Sequence, residues 1–590
     1  MALACAGAKP TTNLRGPPPT TAADRAMAQL SELYLDASLA HNPVTASYLG
    51  YHKYDGRWPD WSPAGIERSL QTVKRFEREL GRIDEKQLSP PYAIDRQLIL
   101  ARLAAERFNL LELKPAEWDV QAYNEAIGSG LYHLTLPPAD PAALLARRTA
   151  LLERLEGLPR FLETAKQRLK ETPQAHLEFV LAQNPGNAKT VEETLPPLFE
   201  AHPELSVRFQ AARGKAVAAI NDYQKWLEVE LKPKATASFR LGREKWERKL
   251  RHTLETEVSV ADLETDARAG LAALRFQMYD LALPLYRQLR PDDLSYQNLA
   301  GDERINLVVG TVLSEAAKEH GTPETFFADV KAQSDKIITF LEKSDLISLP
   351  PKTDNFVIEP TPPFLDGLAV AFYNPAPAFE PDVKKSYWIS SVPKPGTADA
   401  ESYLREYNRH MLQALTIHEA FPGHYVQLYW SSHSPYASQV KQVLESGTMT
   451  EGWAVMIEQL VHEAGYADDD PKCRLFHLKM RLRVYLNAIL DLMMHTSTGP
   501  EAEVDQQALQ MLTSLGFQEN AEATRKIRRA KLTSTQLSTY FVGYREMLGI
   551  YRDGQKKPGF QRKQFLEKMI GYGSIPPAMI RTLLTQDGLL

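Results

Sequence analysis

Apolar residues recur at every third or fourth position along most of this chain. In the segment that opens at Ala23-Asp24, Met27, Leu30, Leu33 and Tyr34 share one face, the spacing of an amphipathic helix packed on a core. The pattern returns over 92–112, 141–171, 204–231, 259–290 and 322–344, and proline clusters at 89–91, 137–141, 196–197 and 350–351 punctuate it. No fixed-period repeat is present, so a solenoid is not expected. Between 355 and 393 the period changes. Phe356-Val-Ile-Glu359, Gly367-Leu-Ala-Val-Ala-Phe-Tyr373 and Ser386-Tyr-Trp-Ile-Ser390 are short β-type runs between proline-rich turns, which predicts a small sheet. Its edge could hold an extended peptide, or the sheet could be a structural hairpin. From about residue 400 the helical pattern resumes and runs to the end. The fold class is therefore mainly α, with many helices and one small sheet.

Composition removes several classes. The chain has 590 residues, 24% charged and 43% apolar, an ordinary soluble balance with ample surface for a large core. Acidic residues (74) outnumber basic ones (69) and there is no basic stripe, so neither nucleic acid nor an anionic membrane is an expected partner. No apolar run reaches about 18 residues, and no transmembrane span is expected. The two cysteines, Cys5 and Cys473, make no Cys-x-x-Cys pair and no disulfide framework. Met1-Ala-Leu-Ala-Cys5 leads into a Thr/Pro/Gly tract ending at Thr21; it lacks the charged and apolar regions of a signal peptide. It resembles the end of a bacterial lipoprotein signal with Cys5 as the lipid-anchored residue, or it is a disordered cytosolic tail. The location is accordingly the bacterial cell envelope or the cytoplasm, and the oligomeric state is not written here.

The chemistry concentrates in His418-Glu419-Ala420-Phe421-Pro422-Gly423-His424. A His-Glu pair with a second histidine downstream is the grammar of a zinc hydrolase. Composition alone yields roughly 0.02 such strings by chance, so accident is a poor explanation. The usual i, i+4 spacing puts both ligands on one helix face, but at i, i+6 they diverge by roughly 120°. Pro422-Gly423 supplies the remedy: proline breaks the hydrogen-bond ladder and glycine accepts unusual dihedrals. The helix is expected to break after Phe421 and restart near His424. The other His-Glu pair, His462-Glu463, reads as an ordinary surface helix.

A two-histidine site needs a third ligand and an open position for water. Glu451, in Thr450-Glu451-Gly452-Trp453, opens an apolar helix 27 residues beyond His424, a fitting interval for a crossing helix. Glu458 lies two turns further on the same face. Glu445 precedes the Gly447 break and is a weaker candidate.

His-Glu-x-x-Pro-Gly-His followed by Glu-Gly-Trp-Ala resembles the bacterial family catalogued as domain of unknown function 885, which is itself similar to the gluzincin metallopeptidases with a stretched zinc motif. Leu49 through Asp55 with Pro59-Asp60-Trp61-Ser62, then Arg154-Leu155-Glu156 with Leu158-Pro159, and finally Asp491 with His495 and Tyr540 with Gly543 look like further elements of that family. One departure is visible: Ser534 stands where the family pattern places proline. The resemblance implies a metallopeptidase-like fold with a deep cleft, one Zn2+ held by His418, His424 and Glu451, and Glu419 as general base. The chemistry agrees, because zinc lowers the pKa of its water to about 7 and an adjacent carboxylate can take the proton.

A donor for the oxyanion is still needed. Asp491 and His495, at i and i+4 on one helix, could form an oriented imidazolium or a buried structural pair. Tyr540 is the alternative, favoured by the resemblance over Tyr544. Arg525, Arg528, Arg529 and Arg545 could clamp a substrate carboxylate, though such runs are mostly solvated faces. The expected organisation is a tail or signal remnant over 1–23, a helical region over 24–350 forming cleft walls, and a catalytic region over 351–590 with the sheet and zinc helices, continuous with the preceding one. The expected function is a zinc-dependent peptidase acting on peptides or small protein-derived substrates. The alternatives are a zinc hydrolase of non-peptide amides or esters, and a silent zinc-stabilised binding protein.

Overall fold

The computed structural model describes residues 15–138, 140–362 and 370–590. Cys5 and the first three residues of the expected middle strand, 367–369, lie outside them. The helices stand where the apolar period puts them: Ala22–His41, Pro90–Phe108, Leu144–Arg168, Pro203–Trp226, Val260–Leu289 and Phe326–Ser344. The first starts where it does because Thr21 accepts from Asp24 N–H while the Asp24 carboxylate returns to the cap backbone, a reciprocal cap that satisfies two orphan donors.

The three strands are β1 (Phe356–Pro360), β2 (Ala371–Asn374) and β3 (Lys385–Ile389), in the order β1-β3-β2. β1 runs parallel to β3, and β2 antiparallel to it, with Tyr373 opposite Tyr387. β2 is thus an edge strand. The helices that build the site follow: α1 (Arg409–Glu419), α2 (His424–His433), α3 (Gly447–Glu463), α4 (Pro471–Thr496), α5 (Asn520–Leu532) and α6 (Ser538–Gln555). No helix among the described residues is long and apolar enough to cross a membrane.

Among the described residues two large apolar cores hold this together, beside a small cluster of Leu39, Ala46, Leu49 and Tyr54. Tyr123, Leu155, Phe209 and Tyr223 belong to one large core, whose buried residues all fall within 120–231 and against which Trp58 and Trp61 pack. The other joins early residues such as Met27, Phe76 and Trp246 to Ile417, Trp453 and Leu486 of the late helices. Residues before and after 350 therefore share a single interior. The two early sequence signatures meet each other rather than the zinc motif. The buried Arg154 guanidinium donates to Ser47 Oγ (2.7 Å) and Pro43 O (2.9 Å), and Trp58 Nε1 donates to Arg154 O (2.8 Å). Ser47 in turn donates to Asp55 at 2.6 Å. These residues clamp the early helices onto the 120–231 bundle.

Candidate metal centre and its pocket

The helix carrying His418 ends at Glu419, and α2 starts at His424. Backbone hydrogen bonding persists two residues further, since Ala420 and Phe421 N–H both reach Thr416 O; Pro422 then has no donor to continue the ladder. The break turns tightly enough that a Cβ on Gly423 would lie 1.7 Å from His418 O, so no other residue fits there. The turn brings the imidazoles together, with ring centres 4.8 Å apart and planes at 85°.

Glu451 comes from the second turn of α3, which Ser446 caps by accepting from Met449 N–H. Its Oε2 lies 3.4 Å from His418 Nε2 and 3.6 Å from His424 Nε2. The three residues each offer a ligand atom, all within 4.8 Å of one another. With bonds near 2.1 Å, two ligands of a tetrahedral zinc stand about 3.4 Å apart. The two measured edges match that separation and are long for direct hydrogen bonds. Two imidazoles and one carboxylate leave a fourth position open, and the donor set fits zinc.

The neighbours of Glu451 explain the rest of its motif. A Cβ on Gly452 would lie 2.3 Å from the Gly543 carbonyl carbon, and one on Gly543 would lie 2.0 Å from Thr448 O. Glycine on both helices lets α3 and α6 touch backbone to backbone. That contact carries Tyr540, one turn before Gly543, to the site, where its ring lies 6.3 Å from that of His418. Trp453 is fully buried and donates to Pro422 O at 3.1 Å, pinning the helix break to α3.

Glu419 is buried and is not one of the three convergent residues. Its Oε2 accepts from Tyr373 N–H of the sheet edge at 3.0 Å. Burial pushes its carboxyl pKa up, with His424 and His418 opposing. For Glu451, burial pushes upward but the two imidazoles facing it win and hold the carboxyl below its ordinary value. Burial likewise opposes charge on His418, yet Glu451 and Glu458 outweigh it and raise that imidazole well above its usual value.

A family model described as a bacterial protein of unknown function, DUF885, matches residues 43–584. The chain belongs to that family. It is similar to a proposed lipoprotein of unknown function from Shewanella oneidensis, with 29% identity and a TM-score of 0.77 over 95% of this chain and 99% of that one. The fold also resembles that of a proposed lipoprotein from Colwellia psychrerythraea, at 14% identity and a TM-score of 0.74, again over 95% and 99% of the two chains. No curated protein matches.

In this DUF885 chain the pocket beside the histidines, about 1100 Å³ counting the part open to solvent, is lined by His418, Glu419, Glu458, Arg483, Lys526 and Tyr540 among others, all from residue 370 onward. Among the described residues, none of those lining this pocket comes from the helical region over 24–350, which was expected to form cleft walls. Tyr48, Asn124 and His133 of that region line a second pocket with Phe372, Tyr373 and Trp388 of the sheet.

His495 does not join the group. Its Nε2 lies 2.9 Å from Ala530 O and 3.1 Å from Thr533 O, and it lines no part of the pocket. Asp491 does not charge it. That carboxylate accepts instead from Thr535 N–H (2.9 Å), Ser538 Oγ (2.7 Å) and Trp246 Nε1 (3.4 Å). Burial pushes the His495 imidazole down, toward the neutral form. The pair ties α4 to the end of α5 and the start of α6. Tyr540, by contrast, lines the pocket. Burial and then the Glu451 charge raise its pKa, which keeps the phenol protonated as a donor. Arg529 donates to its hydroxyl at 3.3 Å. Tyr544 points elsewhere, donating to Gln459 Oε1 at 2.6 Å.

Sequence reasoning placed Glu458 on the ligand face without giving it work. Its Oε1 accepts from His418 Nδ1 at 2.6 Å, leaving Nε2 to face Glu451 and fixing the tautomer in the way a supporting carboxylate does for a metal-bound histidine. The i, i+7 spacing from Glu451 was the available signal. His462 also differs from expectation: Glu463 is exposed, but His462 turns inward and stacks on the buried His477 at 4.1 Å.

Proposed function

We propose that this protein is a zinc-dependent metallopeptidase, with the pocket as its substrate cleft and a gluzincin-like division of labour among its residues. The observation that carries this reading is the spacing of Glu451 Oε2 from the two histidine Nε2 atoms, beside a buried carboxylate, Glu419, that is left out of the ligand set. Zinc bound there supplies an activated water and polarises a substrate carbonyl. Glu419 accepts the proton of the attacking water and returns it to the leaving amine, while Tyr373 N–H holds its other oxygen. Tyr540 donates its hydroxyl hydrogen to the developing oxyanion, held for that task by Arg529. Glu458 keeps His418 in the tautomer that presents Nε2.

The outer edge of β2, beside Glu419, favours a peptide over a non-peptide amide or ester, because an edge strand can take an extended chain by main-chain hydrogen bonds. A silent zinc-stabilised site has no use for Glu419 and would be closed by a fourth protein ligand. The Shewanella oneidensis relative, described as a proposed lipoprotein, favours the reading of Cys5 as an anchor.

Metal analysis of the purified protein, coupled to cleavage of a peptide library with and without chelator, tests the proposal. One zinc per chain and chelator-sensitive cleavage are expected; a metal-free protein, or cleavage indifferent to chelator, would overturn it. The two oxyanion candidates separate cleanly. Tyr540→Phe is expected to lower kcat by about 10²-fold with little change in KM, the scale of one lost oxyanion donor; unchanged kcat excludes the role. His495→Ala is expected to cost about 2–3 kcal/mol of stability through lost buried hydrogen bonds and packing, read by chemical denaturation. A fall in kcat at unchanged stability would contradict its structural placement.

A further inference from the structure

The pocket has a wall of cations, of which the proposed hydrolysis uses Arg529 alone, and only to hold Tyr540. Arg525, Lys526 and Arg529 reach it from α5, and Arg483 from α4. Their present partners differ. Arg483 is committed to the fully buried Glu406, which also holds Lys479 at 2.9 Å. Arg525 lies 3.4 Å from Glu522 and over the Tyr403 ring at 5.6 Å. Arg529 donates only to neutral oxygens, Gln536 Oε1 at 3.0 Å and Tyr540 Oη at 3.3 Å. Lys526 makes no hydrogen bond or ion pair among the described residues, although it is half-buried. Burial, helped by the Arg529 charge, pushes its ammonium down to about 7, as expected of a cation taken from water without an anion to receive it.

The remaining two basic residues behave differently. Arg528 is exposed to solvent, and Arg545 pairs with Asp266 at 2.9 Å. The basic run thus divides into a solvated part and a part turned into the pocket. The inward part also stands close to the chemistry. Glu451 acts electrostatically on both Lys526 and Arg529, and Arg529 holds the tyrosine that faces His418.

We infer that Lys526 and Arg529, with Arg525 beside them, bind a carboxylate of the substrate. The primary source is the α-carboxylate at the C terminus of a peptide, so that the enzyme releases short C-terminal units; an aspartate or glutamate side chain offers the same group. This rests on the hydrolase reading above. A lysine point charge and a planar guanidinium on one helix are a suitable pair for a carboxylate. Desolvating the two cations is offset when the anion arrives, which makes the subsite selective against uncharged ends.

The test uses the zinc-loaded full chain and three matched peptides: one with a free C-terminal acid and neutral side chains, the same peptide amidated, and an amidated peptide carrying internal glutamates. The free acid is expected to be cleaved with kcat/KM about 10–100-fold above its amide, the scale of one charged hydrogen bond. Lys526→Met is expected to bring that ratio close to one, and Lys526→Arg to retain it. A preference for the internal-glutamate peptide that Lys526→Met removes would support the subsite and assign it to side chains. Equal cleavage of acid and amide, unaffected at Lys526, would overturn the inference while leaving the hydrolase intact. If no peptide is cleaved, the hydrolase reading fails, and calorimetric binding to the Glu419→Gln protein still decides the subsite: tighter binding of the acid than of the amide supports it, and equal binding overturns it.

Discussion

Glu419→Gln is expected to leave one zinc per chain and to reduce turnover by about 10²–10⁴-fold, the usual contribution of a general base. The substitution is close to isosteric, and the amide oxygen can still accept from Tyr373 N–H, which now meets Glu419 Oε2 at 3.0 Å. Glu419 is not one of the three convergent ligands, so metal affinity should survive. What disappears is a carboxylate able to take a proton. Burial already raises the pKa of this group, bringing it nearer the neutral range in which a base both accepts and returns a proton. Zinc content and kcat measured on the same preparation check this. Full activity in the variant would remove Glu419 from the mechanism; loss of zinc would make it a structural prop of the site instead.

His424→Ala is expected to strip the metal, weakening zinc by more than the about 10–100-fold that follows loss of a mere supporting partner. Only three protein donors converge here, and tetrahedral zinc does not persist on two. The variant leaves Glu451 facing His418 alone, at 3.4 Å. Removing the imidazole does not touch the helix break, which Gly423 and the Trp453 hydrogen bond to Pro422 O maintain, so circular dichroism should report an unchanged helix content. Zinc stoichiometry after dialysis against a weak chelator is the measurement. An unchanged stoichiometry would exclude His424 as a ligand whatever its effect on rate.

The candidate ligand group was legible because its signals are local. Pro422-Gly423 inside an apolar helix has few other uses, and i, i+6 spacing with a break is solved by turning the chain. The break came two residues earlier than expected in helical dihedrals, while the hydrogen bonds ran on to Phe421. Asp491 and His495 show where local reasoning fails. Their i, i+4 spacing suggested a charged pair, but each found better partners across the fold. Thr535 and Ser538 took the carboxylate, and the Ala530 and Thr533 carbonyls faced the imidazole. A buried group pairs with whatever the packing supplies, and sequence distance does not rank those options.

The sequence by itself determined the helices, the three short strands, the broken zinc-type helix and the carboxylates that could serve it. These follow from periodicity, proline and glycine, each acting over a few residues. Only the tertiary structure decided which side chains share a cavity. The glycine-to-glycine contact of Gly452 with Gly543 brought Tyr540 to His418, and the packing of α5 turned Lys526 and Arg529 inward while leaving Arg528 in solvent. It also set residues of the early helices, such as Asn124 and His133, against Phe372 and Trp388 of the sheet. The reason is the range of the forces. Backbone preference acts along the chain, whereas burial and close packing act between elements hundreds of residues apart.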